Sequence, residues 1–154
     1  GVNLGITWKQ FDLSLLFQGQ AKVINTIQET WVDPSSGGAG NLMQWWTEDM
    51  WTPENTDGTK PRLGTPNKIN GTTFTNINAA FFKLKNAEIG YTLPVAVREK
   101  IGVANARVYL SGTNLFSFDH MRGMGIDPEA TGSGYGGWAL NPQRLINLGV
   151  NVSF

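Results

Sequence analysis

Apolar and polar residues take turns, one by one, at both ends of this chain. Near the start Val2, Leu4, Ile6 and Trp8 alternate with Asn3, Gly5 and Thr7; at the end Ile146, Leu148, Val150, Val152 and Phe154 alternate with Asn147, Gly149, Asn151 and Ser153. A strand turns successive side chains to opposite faces, so each stretch predicts a strand with one apolar and one polar face. Lys9 and Gln10 read as a tight turn. Beyond it Phe11, Leu13, Leu15, Phe17, Gly19 and Ala21 resume the alternation against Asp12, Ser14, Gln18 and Gln20, with Leu16 the one apolar residue on the polar side. The two runs predict a hairpin with a two-residue connection, although Lys-Gln is not the Asn-Gly type favoured there.

The interior is less regular. Strands are expected over residues 2–8, 11–24, 79–93, 105–118 and 143–154, with long loops at 25–78 and 119–142. A short helix is expected within NLMQWWTEDMW, residues 41–51, ended by Pro53. Residues 94–105 form a connection with a single helical turn. In the third strand Ala87, Ile89, Tyr91 and Leu93 share a face, but Phe82 and Leu84 hold the other phase, so the register shifts near Lys85 and Asn86. A bulge would do this, as would a strand that projects beyond the apolar layer. In the fourth strand Ala106, Val108 and Leu110 alternate with Arg107, Tyr109, Ser111 and Thr113.

Counted back from the end, the connections run long, short, long, short, which puts the long loops at one end of the sheet and the short turns at the other. That asymmetry is the habit of outer-membrane barrels, and strands of about 9–11 residues, tilted, span a bilayer. Trp8, Phe11, Tyr91 and Phe154 fall near the short-turn end; Phe81, Phe82, Phe116 and Phe118 fall near the long-loop end. Two aromatic belts are expected where a barrel crosses the two membrane interfaces. The lipid-facing set is then Phe11, Leu13, Leu15, Phe17, Ile146, Leu148, Val150 and Val152, while Asp12, Gln18, Gln20, Glu88, Arg107, Asn147 and Asn151 face a lumen. Composition agrees: 16% of residues are charged, against roughly 25% in soluble proteins. Twelve basic and twelve acidic side chains cancel, which removes the electrostatic case for nucleic acid. The absence of cysteine excludes disulfides and thiolate metal sites. No run approaches the roughly 18 apolar residues of a membrane helix.

Catalytic and cofactor chemistry finds little support. GSGYGG, residues 132–137, matches a dinucleotide-binding pattern, but no helix is expected after it and Pro142 follows closely, so it reads as a loop. His120 is the single histidine and lacks companions at ligand spacing. Glu48 and Asp49 are adjacent rather than facing across a cleft, and Asp57-Gly58 lacks the alternating ligands of a calcium loop. The glycosylation sequons at Asn70 and Asn151 are too common a pattern to carry meaning. No enzyme, metal or cofactor is expected. Trp45, Trp46, Trp51, Tyr135 and Trp138 are the candidate ligand- or partner-facing loop residues, because indoles pack on sugar faces and mark protein interfaces. The bland alternative is that they hold the loops together.

FDLSLLFQG (Phe11 to Gly19), WTPEN followed by PR (Trp51 to Asn55, Pro61, Arg62), FKLKNAEIGYTLP (Phe82 to Pro94), RVYLSGTNLFSF (Arg107 to Phe118), DPE (Asp127 to Glu129) and the ending NLGVNVSF occur in this order. The chain resembles the last part of SusC/RagA-type TonB-dependent outer-membrane transporters of Bacteroidetes. The resemblance implies an all-β, antiparallel transmembrane barrel segment, about the last five strands of a 22-stranded barrel, with extracellular loops and the C-terminus at the periplasmic side. It implies import of glycans or peptides, a SusD-like surface lipoprotein as lid, and a plug domain and TonB-contacting part that this chain does not contain. It also implies recognition of the closing strand and Phe154 by the barrel-assembly machinery. The competing expectations are a soluble β-sandwich carbohydrate-binding module, a passive porin-like channel, and a barrel fragment captured on the assembly machinery. The sandwich requires a second sheet over Ile146, Leu148, Val150 and Val152; the barrel requires lipid there.

Overall fold

The computed structural model describes residues 1–26, 43–62, 72–129 and 141–154. Among them the strands are β1 (Val2–Trp8), β2 (Phe11–Gln20), β3 (Ile24–Thr26), β4 (Asn76–Asn78), β5 (Phe81–Thr92), β6 (Asn105–Asp119) and β7 (Leu145–Ser153). The chain divides into two compact units. One comprises Gly1–Gln20, Phe82–Phe118 and Pro142–Phe154; the other comprises Ala21–Phe81 and Asp119–Asn141.

The first unit is a five-stranded sheet in the order β1-β2-β5-β6-β7. Like faces like across the β1–β2 and β6–β7 ladders. Leu4 pairs with Leu15, Ile6 with Leu13 and Trp8 with Phe11, while Thr7 meets Asp12 on the other side. In the β6–β7 ladder Val108 opposes Val150 and Leu110 opposes Leu148, and the alternate positions pair Arg107 with Asn151 and Ser111 with Asn147. The hairpin connection is the expected two residues. Lys9 takes φ 54°, the left-handed conformation that these mirror-image turns require, at a cost of about 1–2 kcal/mol for a side chain with a Cβ. Its ammonium lies 4.9 Å from the Trp8 ring centre.

The phase change in β5 lies inside the strand. The β1–β2 ladder runs without interruption, so Phe11 and Phe17 point to the same face. Phe11 packs on Tyr91 at 4.7 Å between ring centres, and Phe17 stacks on Phe82 at 5.5 Å. An unbroken alternation would turn Tyr91 and Phe82 to opposite faces, so β5 slips by one residue between them, as a bulge does. β6 carries its own irregularity. Asn114 adopts φ 52°, tolerable for asparagine, and its amide donates to the Gln143 carbonyl at 3.1 Å. The kink lays Leu115 back over Gly112, where a Cβ would lie 2.6 Å from the leucine Cδ2. The run SGTNL therefore needs both its glycine and its asparagine.

β5 and β6 are joined by a seven-residue helix, Val95–Ile101, longer than the single turn expected. Gly102 ends it at φ 71°, its N–H donating to the carbonyls of Arg98 and Glu99, which caps the helix in the left-handed manner open to glycine. Among the described residues no helix is long and apolar enough to cross a membrane.

The apolar face of the sheet has no covering layer among the described residues. Ile146, Val150 and Val152 are exposed, and Leu148 is 75% exposed. The second unit, in contrast, has its own core of Trp46, Ala79, Met121 and Ile126, with Val23, Met43, Trp45, Ile77 and Met124 packed against it. β3 pairs antiparallel with β4 there, Asn25 opposite Ile77. This corrects the expected strand over residues 11–24: β2 stops at Gln20, Lys22 turns left-handed at φ 57°, and Ile24 starts a separate strand whose ladder with Asn76–Asn78 falls largely in the expected 25–78 loop.

Replacing the wholly enclosed Met121 by alanine should destabilise the second unit by about 2–5 kcal/mol, the usual cost of such a cavity. Hydrogen exchange in the full-length protein should then quicken at the amides of Trp46 and Ala79 and leave the β6–β7 ladder unchanged.

Candidate functional site

On the polar face of the sheet, Arg107 gathers two acids. Its Nε donates to Asp12 Oδ1 at 2.9 Å, and its Nη2 donates to Asp12 Oδ2 and to Glu88 Oε1, the last at 2.7 Å. Arg107 lies on β6, Asp12 on β2, and β5 runs between them. Strands sit about 4.8 Å apart, so the guanidinium must cross an entire strand. It does so over Gly90, where any Cβ would collide with its Nε, Cζ and Nη2. Tyr109, the next residue on that face, lies 5.2 Å from the guanidinium carbon and occupies the space over Gly149, its ladder partner. Two glycines thus clear a shallow track for two large side chains. Two carboxylates meet one guanidinium in this cluster.

In the second unit, the WTPEN run closes a compact loop. Thr52 N donates to Asn55 O at 3.1 Å, and Asn55 N returns to Thr52 O at 3.0 Å. The Asn55 amide reaches Met50 O at 3.0 Å. Gly58 packs against the Met50–Trp51 peptide so closely that a Cβ would lie 2.5 Å from Met50 O. Asp49 pins the loop's far side: its Oδ1 accepts from Thr59 N at 3.2 Å and its Oδ2 from the Thr59 hydroxyl, with Lys60 Nζ at 3.9 Å. These hydrogen bonds, then Lys60, hold the Asp49 carboxyl below the usual carboxylate range. The adjacent acids are therefore local fasteners, Glu48 accepting from Gln44 at 2.7 Å.

The loop tryptophans divide by burial. Trp46 is 2% exposed and belongs to the core. Trp45 packs edge-on against it at 5.6 Å; its indole N–H is enclosed and meets no acceptor among the described residues. Trp51 is 42% exposed. Trp45, Phe74, Ile77 and Met124 line an open cavity of about 570 Å³, with the joined Asp49 and Lys60 at its wall. Tyr135 and Trp138 lie outside the described residues, as do the 132–137 glycines, and His120 is exposed. Phe11, Leu13, Leu15 and Phe17 share one sheet face with Ile146, Leu148, Val150 and Val152, since Asp12 and Arg107 meet on the opposite one. Sequence reasoning had placed Asp12, Glu88 and Arg107 on the polar face as separate lining residues. Their union was missed, and its one signal was Gly90 in an otherwise large-residue strand.

No family model matches the sequence. It is 30% identical over 172 aligned positions to TonB-dependent receptor P3 of Formosa agariphila, covering 100% of this chain and 16% of that protein. It is 34% identical over 119 positions to TonB-dependent receptor P26 of the same organism, covering 69% of this chain and 12% of that one. Among solved structures, the RagAB peptide importer in its closed-closed state matches 99% of this chain with a TM-score of 0.73 at 26% identity, and this chain covers 16% of the matched one. The open-open state matches over the same 99% with a TM-score of 0.69. The chain matches, over its whole length, a segment of SusC/RagA-type TonB-dependent receptors. It spans about a sixth or less of the curated relatives it matches. These relatives and neighbours are named as receptors and transporters rather than enzymes.

Two predictions follow from the two polar arrangements. Gly90→Val should push the guanidinium off Asp12, so that Asp12→Asn, costly in the parent, becomes nearly neutral in the Gly90→Val background. A double-mutant cycle on urea unfolding of the full-length receptor should read a coupling of about 0.5–3 kcal/mol, towards the low end because the pair is partly solvated. In the second unit, a carboxyl whose folded pKa is depressed stabilises above its unfolded value near 3.9 and loses that contribution as pH falls through the folded one. Acidification below about pH 4 should open the Asp49–Thr59 contact, read as a change in Trp51 emission. The change should be present at neutral pH in Asp49→Asn.

Proposed function

We infer that this chain builds wall and loops of an outer-membrane importer that takes up nutrients, glycans or peptides. The observation that carries the reading is a five-stranded sheet with an uncovered apolar face and a charged opposite face, similar over 99% of its length to the RagAB peptide importer. Water on the apolar face would cost about 25 cal/mol per Å², and a lipid solvent removes that cost. In this reading Phe11, Leu13, Leu15, Phe17, Ile146, Leu148, Val150 and Val152 meet lipid, and Asp12, Glu88 and Arg107 line the lumen. The loops are extracellular, and Trp45, Trp51, Tyr135 and Trp138 are their candidate contacts to ligand or lid. Phe154 ends the strand that the barrel-assembly machinery reads. The SusD-like lipoprotein, the plug and the TonB complex act through the remainder of the receptor, where the proton-motive force drives plug movement and ligand entry. The sandwich alternative lacks its second layer among the described residues.

A charge decides the wall assignment. Leu148→Arg in the full-length receptor should destabilise the folded barrel by about 2–4 kcal/mol, as midplane cations do on a lipid face, and should cut outer-membrane yield and uptake. Asn147→Arg, one residue away, should leave both near the parent level. Equal effects at the two positions would overturn the reading.

A further inference from the structure

We propose that the Val95–Ile101 helix is an interfacial anchor that rests its Val97–Ile101 stripe on the phospholipid headgroup–acyl boundary at the short-connection end of the sheet. This rests on the outer-membrane reading above and adds a lipid-binding element to it. Barrel turns at that end are ordinarily short, whereas this connection has folded a capped helix of seven residues. At about 100° per residue, Val97 and Ile101 fall on one stripe. Arg98 and Lys100 flank that stripe on either side, and Glu99 falls opposite. Both apolar residues are exposed, Val97 at 40% and Ile101 at 59%. Cations beside such a pair, with the acid turned away, match a surface that is apolar below and phosphate-bearing above.

The helix also lies at the aromatic end of the sheet. Thr92 N donates to Gln10 O at 2.8 Å, Leu93 N to Ala106 O at 2.9 Å and Ala104 N to Ser153 O at 2.8 Å. The two ends of the helical connection are thereby tied to the β1–β2 turn and to the end of β7. At that same end stand Trp8, with the Lys9 ammonium over its ring, the Phe11–Tyr91 pair, and Phe154, which is 96% exposed. Aromatic rings and lysines collect at the headgroup level of a bilayer. Arg98 Nη1 donates to Ala104 O at 2.5 Å, which ties the helix to its own exit segment.

The 154 residues contain no cysteine, so single labels can be set into this part of the full-length receptor. Ile101→Cys, Glu99→Cys and Leu148→Cys would each carry an environment-sensitive fluorophore in vesicles of phosphatidylethanolamine and phosphatidylglycerol. The Ile101 label should lose about half of its emission or more to nitroxide lipids labelled near the headgroup and little to aqueous iodide, a shallow depth of about 5–10 Å. The Glu99 label should show the reverse, and the Leu148 label should respond to nitroxides placed deeper in the chains. An Ile101 label that iodide reaches as readily as Glu99, or that neither quencher reaches, would mean water or a protein on that stripe. The anchor is then wrong, while a quenched Leu148 label keeps the membrane reading. A Leu148 label untouched by every lipid nitroxide overturns the membrane reading itself.

Discussion

Arg107 reaches from β6 across Gly90 of β5 to Asp12 of β2, and that reach fixes which side of the sheet is polar. An arginine cannot straddle a strand unless the position it passes over is empty, so the glycine, the two acids and the arginine are one arrangement. Once they share a face, period-two alternation commits Phe11, Leu13, Leu15 and Phe17 of β2 and Val108 and Leu110 of β6 to the other. β7 follows through its ladder, because Val150 and Leu148 oppose Val108 and Leu110. The polar face is thereby cross-linked by ionic hydrogen bonds, and the apolar face carries aliphatic and aromatic side chains, with Trp8 and Tyr91 beside Phe11 at its end.

The two units hold together for different reasons. The second unit encloses Trp46, Met121, Ala79 and Ile126, so its stability resides in contacts it makes itself. In the sheet, by contrast, much of the apolar area remains outside, and β1 and β7 each present an edge that no described strand pairs. An unpaired edge in hydrocarbon costs several kcal/mol for each backbone group left without a partner. The sheet therefore depends on whatever pairs its edges and covers its apolar face, whereas the second unit needs neither for its core.

Strand positions and faces were legible in the sequence wherever a residue's role depends only on its parity. The β1–β2 hairpin, the pairing of apolar with apolar and the phase slip in β5 all follow from counting by twos. What escaped depended on φ or on contacts between distant strands. Lys22 and Asn114 take left-handed conformations that nothing in their neighbours' hydropathy announces, so β2 ends earlier than the alternation of Gly19 and Ala21 suggested. The Arg107 cluster joins residues 95 apart in sequence, and only the absence of a side chain at Gly90 hints at it. Among the loop indoles, hydropathy could not separate Trp46, which fills the core, from Trp51, which stands open.

The motif residues take on distinct physical jobs once their contacts are known. In WTPEN, Thr52 and Asn55 exchange backbone hydrogen bonds while the Asn55 amide holds Met50, so the run closes a loop rather than presenting a ligand set. SGTNL is a kink, with the asparagine in the left-handed region and the glycine vacated for Leu115. NAEIGYT contributes Glu88 to the ion cluster, Gly90 to its passage and Tyr91 to the ring pair with Phe11, three tasks on two faces within four residues. Such a run tolerates little exchange, because each substitution is judged by a different partner: a guanidinium that needs the charge, a side chain that needs the gap and a ring that needs its stack. None of these three runs lines the open cavity beside Trp45.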